Sequence, residues 1–200
     1  MPDMHWHYGA GEKGRLGMAG EEMNGGQEMQ PYSRIEFLLN RISMLAAVTA
    51  TAILLETLLL PVIQIFGSSM TPALYEGNFV VAVRYAMPKR GDIVAFYSND
   101  RVLVKRVIAL EGEQVDIDRE GMVYIDGSLL EESYVEKLSY GGCDISFPFQ
   151  VPEGSLFVLG DHRGISVDSR SSAVGCVEEG QLIGKVIFRI WPLDRIGLVH

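Results

Sequence analysis

The feature that constrains this chain most is the run from Ile42 to Leu60, apolar throughout except for Ser43, Thr49, Thr51, Glu56 and Thr57. About 20 such residues, rising ~1.5 Å each, cross the ~30 Å hydrocarbon core of a bilayer. A buried helix of a soluble protein would keep a polar face at helical spacing, and this run has none. Arg41 flanks it, and it precedes the only stretch that reads as a folded domain. The sequence therefore predicts one anchor helix over residues 34–61, with the span itself at about 42–60. Glu56 would cost a few kcal/mol at the bilayer centre. It stands about one turn before Leu60 and Pro61, near the far end, within reach of headgroups. Arg34 and Arg41 before the span, and Arg84, Lys89 and Arg90 after it, give only a thin positive-inside signal, so charge alone does not orient the helix.

Residues 1–33 are rich in Gly, Met, Glu and Gln and lack apolar periodicity, which predicts a flexible tail and not a cleaved leader. His5 and His7 lie within it without fixed geometry, and no metal site is expected there. Beyond Pro61 the period changes. Val62–Phe66, Phe79–Tyr85, Asp92–Tyr97, Val102–Leu110, Gln114–Ile117, Met122–Ile125, Ser155–Leu159 and Lys185–Trp191 are short and rich in Val, Ile and aromatic residues. Turn signals separate them at Glu76-Gly77-Asn78, Lys89-Arg90-Gly91-Asp92, Ser98-Asn99-Asp100, Glu111-Gly112-Glu113 and Asp126-Gly127. The expectation is a mainly β chain, an antiparallel sheet or barrel-like domain over residues 62–200 behind one transmembrane helix. Residues 131–154 are the least regular part and read as a longer connection or a small appended hairpin.

A formal net charge of −9, with no basic cluster longer than Lys89-Arg90 or Lys105-Arg106, excludes nucleic acid as the main partner. Cys143 and Cys176 have neither C-x-x-C spacing nor neighbouring His, so zinc and thioredoxin-like chemistry are not supported. Both a disulfide between them and two free thiols remain open.

Gly67-Ser68-Ser69-Met70-Thr71-Pro72 follows the apolar run closely enough to hold a hydroxyl at a membrane surface. A serine nucleophile needs a base that is neutral at operating pH. A triad of Ser69, His162 and Asp168 can be drawn, although His162 lies in a charged turn where a histidine is ordinarily solvated. Lys105 is the stronger candidate. In Val102–Leu110, alternation places Leu103, Lys105 and Val107 on one face and Val104, Arg106 and Ile108 on the other. If that first face is interior, desolvation lowers the lysine pKa and neutral lysine can accept the serine proton; if it is solvent, Lys105 is an ordinary surface charge. A Ser-x-x-Lys turn is absent, because Met70-Thr71-Pro72 follows Ser69. In Gly160–Arg170, Ser166 can orient the lysine by a hydrogen bond and Asp168 can pair with Arg170; a polar loop with local ion pairs is the plainer reading.

Taken in order, these stretches closely resemble the type I signal peptidases, membrane-bound serine proteases that remove leader peptides from exported proteins. The resemblance covers most of residues 42–197. It rests on the apolar anchor, Gly67–Leu74, Lys89–Phe96, Val104–Glu113, Gly160–Arg163 with Ser166 and Asp168–Arg170, and finally Gly184-Lys185 with Trp191-Pro192. The single span and compact domain are more similar to the Gram-positive form than to the larger proteobacterial one. The resemblance implies Ser69 as nucleophile, Lys105 as general base, Ser166 bonded to the lysine, and Asp168 with Arg170 as a structural pair. It implies shallow pockets for small residues, with Ile65, Met70, Leu74, Leu103 and Val104 at the wall positions. Gly67 stands where proteobacterial members carry a side-chain oxyanion donor, and one such donor is worth about 3 kcal/mol. Glu111 replaces a frequent proline, which should alter only a turn.

The resemblance further implies no cofactor and no metal, exported preproteins and the lipid bilayer as partners, and a single-pass plasma-membrane protein with its catalytic domain on the outer face. Two other readings compete. A self-cleaving repressor protease would need a DNA-binding helix-turn-helix within residues 1–60, which the sequence lacks. A catalytically silent, membrane-tethered β module would bind peptides or a protein partner without cleaving them.

Overall fold

The structure, a computed structural model, describes residues 31–84 and 86–199, without the side chains of residues 31–33 and Glu56. His5, His7 and the tail up to residue 30 lie outside the described residues, as does the expected placement of the Glu56 carboxylate. The chain divides into two units, Met1–Met44 and Leu45–His200, with the boundary inside the first helix.

That helix, α1, runs Pro31–Leu59. It starts three residues before the expected residue 34 because proline, whose missing N–H costs nothing in the first turn, suits that position. It stops before Pro61, whose ring disfavours helical backbone at Leu60. Its large apolar side chains, from Ile35 through Leu59, are exposed all along the helix. The hydroxyls are satisfied within it: Thr49 Oγ1 donates to Leu45 O, Thr51 Oγ1 to Ala47 O and Thr57 Oγ1 to Ile53 O, at 2.9, 2.8 and 3.0 Å. Such bonds back to the preceding turn remove most of the polarity that hydrocarbon would penalise.

Among the described residues twelve strands follow: β1 Val62–Gln64, β2 Phe79–Val83, β3 Ile93–Ser98, β4 Arg101–Ala109, β5 Gln114–Ile117, β6 Val123–Ile125, β7 Ser128–Leu129, β8 Phe149–Gln150, β9 Ser155–Leu159, β10 Val177–Glu178, β11 Leu182–Trp191 and β12 Gly197–Leu198. The larger sheet has the order β1-β2-β11-β3-β4-β9-β10, with β12 on β11; the smaller is β7-β6-β5-β8. Every pairing is antiparallel. Each of the eight expected strands is present, most with ends shifted by one to three residues. The four that sequence reasoning missed are two residues long, too short to carry a period. Residues 131–154 form the longer connection rather than a hairpin, since their strand, β8, pairs with β5.

The turns explain the registers. Asn99 and Asp100 adopt φ of 45° and 60°, and Asp126-Gly127 φ of 48° and 78°. Two successive positive φ values match the twist of a tight hairpin and fix the β3–β4 and β6–β7 pairings. Register then sorts β4. Val94 opposes Lys105 and Ala95 opposes Val104. Val104 packs on the cluster holding Ile65, Met70, Leu74, Val80 and Ile93, whereas Leu103 packs with Val94, Phe96, Val107 and Val158. The expected alternation therefore holds, and both faces of β4 are interior at its centre. Lys105 and Arg106 are buried next to each other.

Candidate active site

Ser69 follows β1 in a tight turn whose chain direction is set at Gly67, with φ of +77°. A Cβ at residue 67 would touch nothing within 4 Å, so backbone conformation and not crowding favours glycine there. On the far side of Ser69, Leu74 N donates to Met70 O at 2.8 Å, and Met70 and Leu74 sink into the core. The turn is thus pinned at its apolar end and leaves Ser69 half-buried.

Lys105 is only 3% exposed and places Nζ 2.6 Å from Ser69 Oγ. Burial lowers its pKa from 10.5 to about 8, against the opposing pull of Asp168 and Asp161; Arg170 assists the lowering. Solvation loss disfavours the ammonium, and among the described residues no carboxylate forms an ion pair with it: Asp161 and Asp168 are each taken by an arginine. Arg106 grips Asp161 in a two-pronged pair, Nε to Oδ1 at 2.8 Å and Nη2 to Oδ2 at 2.7 Å. Arg170 grips Asp168 in the same way, at 2.8 and 2.9 Å. Arg163 bonds both oxygens of Glu132. All six of these side chains are at most 4% exposed. Asp161 and Asp168, the two acids that act on Lys105, are therefore each neutralised by an arginine.

The loop Gly160–Arg170 holds the Ser69 turn. His162 N donates to Ser69 O at 3.1 Å, and Gly160 N donates to Asp168 Oδ2 at 3.0 Å. A Cβ on Gly160 would run into Ser166 Oγ and would lie 2.5 Å from Ser69 O. Glycine is needed here for closeness, since the loop and Ser69 touch backbone to backbone.

The structure brings together Ser69, Lys105, Ser166, Asp168 and Arg170; the weaker alternative of a triad is not made, and one expectation requires correction. The triad through His162 does not form: the ring is exposed, its Nδ1 lies 3.1 Å from Thr71 Oγ1, and Asp168 is committed to Arg170. Ser166 makes no hydrogen bond to the lysine; its Oγ is buried and unpartnered among the described residues, while Nζ is directed at Ser69. Of the wall positions, Ile65, Met70 and Leu74 are core side chains, Leu103 and Val104 are half-buried, and Gly67 is exposed. Glu111 ties its turn to the start of β9 by accepting from Gly154 N at 2.7 Å. Cys143 and Cys176 are free thiols, and burial pushes the Cys176 thiol up to about 11.

Sequence reasoning missed Arg106, Glu132, Asp161 and Arg163. A signal was present. Lys105-Arg106 interrupts an otherwise apolar strand, so if the strand is central both charges are buried and Arg106 requires an acid. Gly160-Asp161 supplies it.

A serine hydroxyl against a buried, depressed-pKa lysine on an antiparallel scaffold is what a serine peptidase with a lysine base requires. The family model described as "Signal peptidase, peptidase S26" matches residues 38–191, and the chain belongs to that family of serine peptidases. It is 32% identical over 177 residues to probable signal peptidase I-1 of Synechocystis, which covers 81% of this chain and 87% of that protein. Probable signal peptidase I-2 of the same organism is 33% identical over 148 residues, a match spanning 66% of this chain and 64% of the relative's length. Signal peptidase I of Bacillus caldolyticus is 35% identical over 147 residues, 66% of this chain and 79% of that one. A crystal structure of a signal peptidase I from Enterococcus faecalis V583 is 34% identical, with a TM-score of 0.43 over 50% of this chain and 97% of the other.

Proposed function

We propose that this protein is a membrane-bound signal peptidase I that hydrolyses the bond between leader peptide and mature part of exported preproteins, with Ser69 as nucleophile and Lys105 as general base. The observation that carries the reading is the 2.6 Å contact between Lys105 Nζ and Ser69 Oγ inside a buried site. Neutral Lys105 takes the Ser69 proton as Oγ attacks the scissile carbonyl carbon. The negative charge that develops on the carbonyl oxygen is received by the Ser69 backbone N–H. As the C–N bond breaks, the ammonium of Lys105 returns the proton to the leaving amine, and the leader remains esterified to Ser69. Water, deprotonated by Lys105, then attacks the ester carbonyl carbon; the C–Oγ bond breaks, the Lys105 ammonium returns the proton to Ser69 Oγ, and the leader leaves with a free carboxylate. Asp168 and Arg170 hold the loop behind Ser69, and Ser166 fills the space against Gly160. The chemistry needs no cofactor or metal.

Substrate binds as an added strand. β3 pairs with the whole of β4, but β9 pairs only from Arg106 onward, which leaves the Arg101–Val104 edge without a β9 partner beside Lys105. An extended peptide there gains main-chain hydrogen bonds, and alternate side chains enter shallow pockets walled by Leu103, Val104 and the accessible Gly67–Ser69 part of the turn, Ile65, Met70 and Leu74 being core side chains. Residues 34–61 form a single-pass anchor in the plasma membrane and residues 62–200 an outer-face protease domain, the partners being preproteins and the bilayer and not nucleic acid. Ser69 lies nine residues beyond Leu60, a tether of at most roughly 30 Å when extended.

A silent binding module would keep the same surface without using Ser69. A serine-directed acylating probe separates the two: stoichiometric labelling that disappears in Ser69→Ala supports the peptidase, and an unlabelled wild type refutes it.

A further inference from the structure

The irregular connection between β7 and β8 contributes two residues to the surroundings of the dyad. Glu132 carries a side chain only 4% exposed and accepts from both terminal nitrogens of Arg163 and from Tyr134 Oη, the last at 2.7 Å. Tyr134 lays its ring on the guanidinium of Arg106, 4.0 Å from Cζ to centroid. One short segment, Glu132-Ser133-Tyr134, therefore touches two arginines that belong to different parts of the site.

Both arginines lead to the reacting pair. Arg106 follows Lys105 directly in β4 and holds Asp161. Arg163 Nε donates to Gly160 O at 3.0 Å, and its carbonyl accepts from Arg170 Nη2 at 2.9 Å. Between those anchors, His162 N holds the carbonyl of Ser69. If Arg163 loses its carboxylate, a buried guanidinium is left uncompensated and must seek water, pulling on Gly160 and so on the peptide that carries the nucleophile. If Arg106 loses the ring that covers it, its guanidinium keeps Asp161 and Gly91 O but loses the packing over one face beside Lys105. A cation over an aromatic face, shielded from solvent, is held in place as well as stabilised.

We propose that Glu132 and Tyr134 are positioning residues for the dyad, Glu132 acting through Arg163 on the Ser69 backbone and the Tyr134 ring acting through Arg106 on β4. The assignment rests on the Ser69–Lys105 peptidase reading and adds to it a segment remote in sequence. Neither residue touches the reacting atoms.

The test measures acylation of Ser69 by a serine-directed probe, with the rate constant taken per titrated site so that misfolded protein lowers the titre and not the rate. Full-length wild type, Glu132→Gln, Tyr134→Leu and Tyr134→Phe are compared, with kcat and KM for a preprotein measured alongside. Displacing a nucleophile by a fraction of an ångström is expected to slow Glu132→Gln by about tenfold or more, with KM changed by less than about twofold. Tyr134→Leu should be slowed several-fold, and Tyr134→Phe, which keeps the ring on Arg106 and loses only the hydrogen bond to Glu132, should be slowed clearly less. Wild-type rates per titrated site in both Glu132→Gln and Tyr134→Leu would overturn the assignment while leaving the peptidase reading intact. A wild type that is not labelled at all would overturn both.

Discussion

Lys105 Nζ and Ser69 Oγ stand 2.6 Å apart although 36 residues separate them in the chain. The contact is made by a turn pinned through Met70 and Leu74 and by the middle of a strand whose two faces are both interior. The same burial that brings the atoms together lowers the lysine pKa, so geometry and acidity have one cause.

The first consequence concerns pH. With Lys105 as the proposed general base, its pKa, lowered by burial to about 8, predicts a kcat/KM that rises with pH through a limb centred near that value. A profile that rises only above about pH 10, the range of an ordinary lysine, would mean that burial does not act on this group.

Stability follows with a definite sign. The folded-state pKa lies below the unfolded one, so the contribution of Lys105 is most favourable above about 10.5 and is lost as pH falls through about 8. Below the lower value the buried site must hold an ammonium, at a cost of up to about 3 kcal/mol. Lys105→Met should therefore be more stable than wild type at pH 7, by an amount that shrinks as pH rises toward 10. Chemical denaturation of both proteins at the two pH values reads this directly, and a variant less stable at pH 7 would contradict it.

Gly160→Ala places a methyl group against Ser166 Oγ and Ser69 O. Overpacking of this kind costs about 1–3 kcal/mol. Because one of the atoms pushed is the carbonyl of Ser69, the proposed nucleophile, the acylation rate should fall by about 10²-fold. Gly67→Ala is the control: its Cβ meets open space, so only the strain of φ +77° applies, roughly 1 kcal/mol of stability.

Asp168→Asn leaves Arg170 buried without its carboxylate, which should cost about 3–5 kcal/mol in denaturant unfolding. Asp168 is also the largest of the charges holding the Lys105 pKa up. Whatever activity survives should therefore show its limb at lower pH than wild type; a limb moved upward would show that the pairing has been misread.

These residues differ in how visible they were in the chain. Ser69 and Lys105 could be read because each sits in a distinctive local pattern: a polar turn after an apolar run, and a lysine within an apolar strand. The eight longer strands were legible through β-branched runs bounded by turns, and both tight hairpins through Asn99-Asp100 and Asp126-Gly127. The ion-pair cage was not, because Glu132 meets Arg163 across 31 residues of irregular chain and nothing local marks either as buried. Ser166 illustrates the reverse case, a residue correctly located whose expected hydrogen bond to Lys105 is not made.

The claim that Ser69 and Lys105 form the catalytic dyad is tested most directly by cleavage of a preprotein with an Ala-x-Ala processing site by wild type, Ser69→Ala and Lys105→Met. Release of the mature chain by wild type and loss of turnover in each variant, both remaining folded, is the predicted result. Sustained turnover by either variant would contradict it.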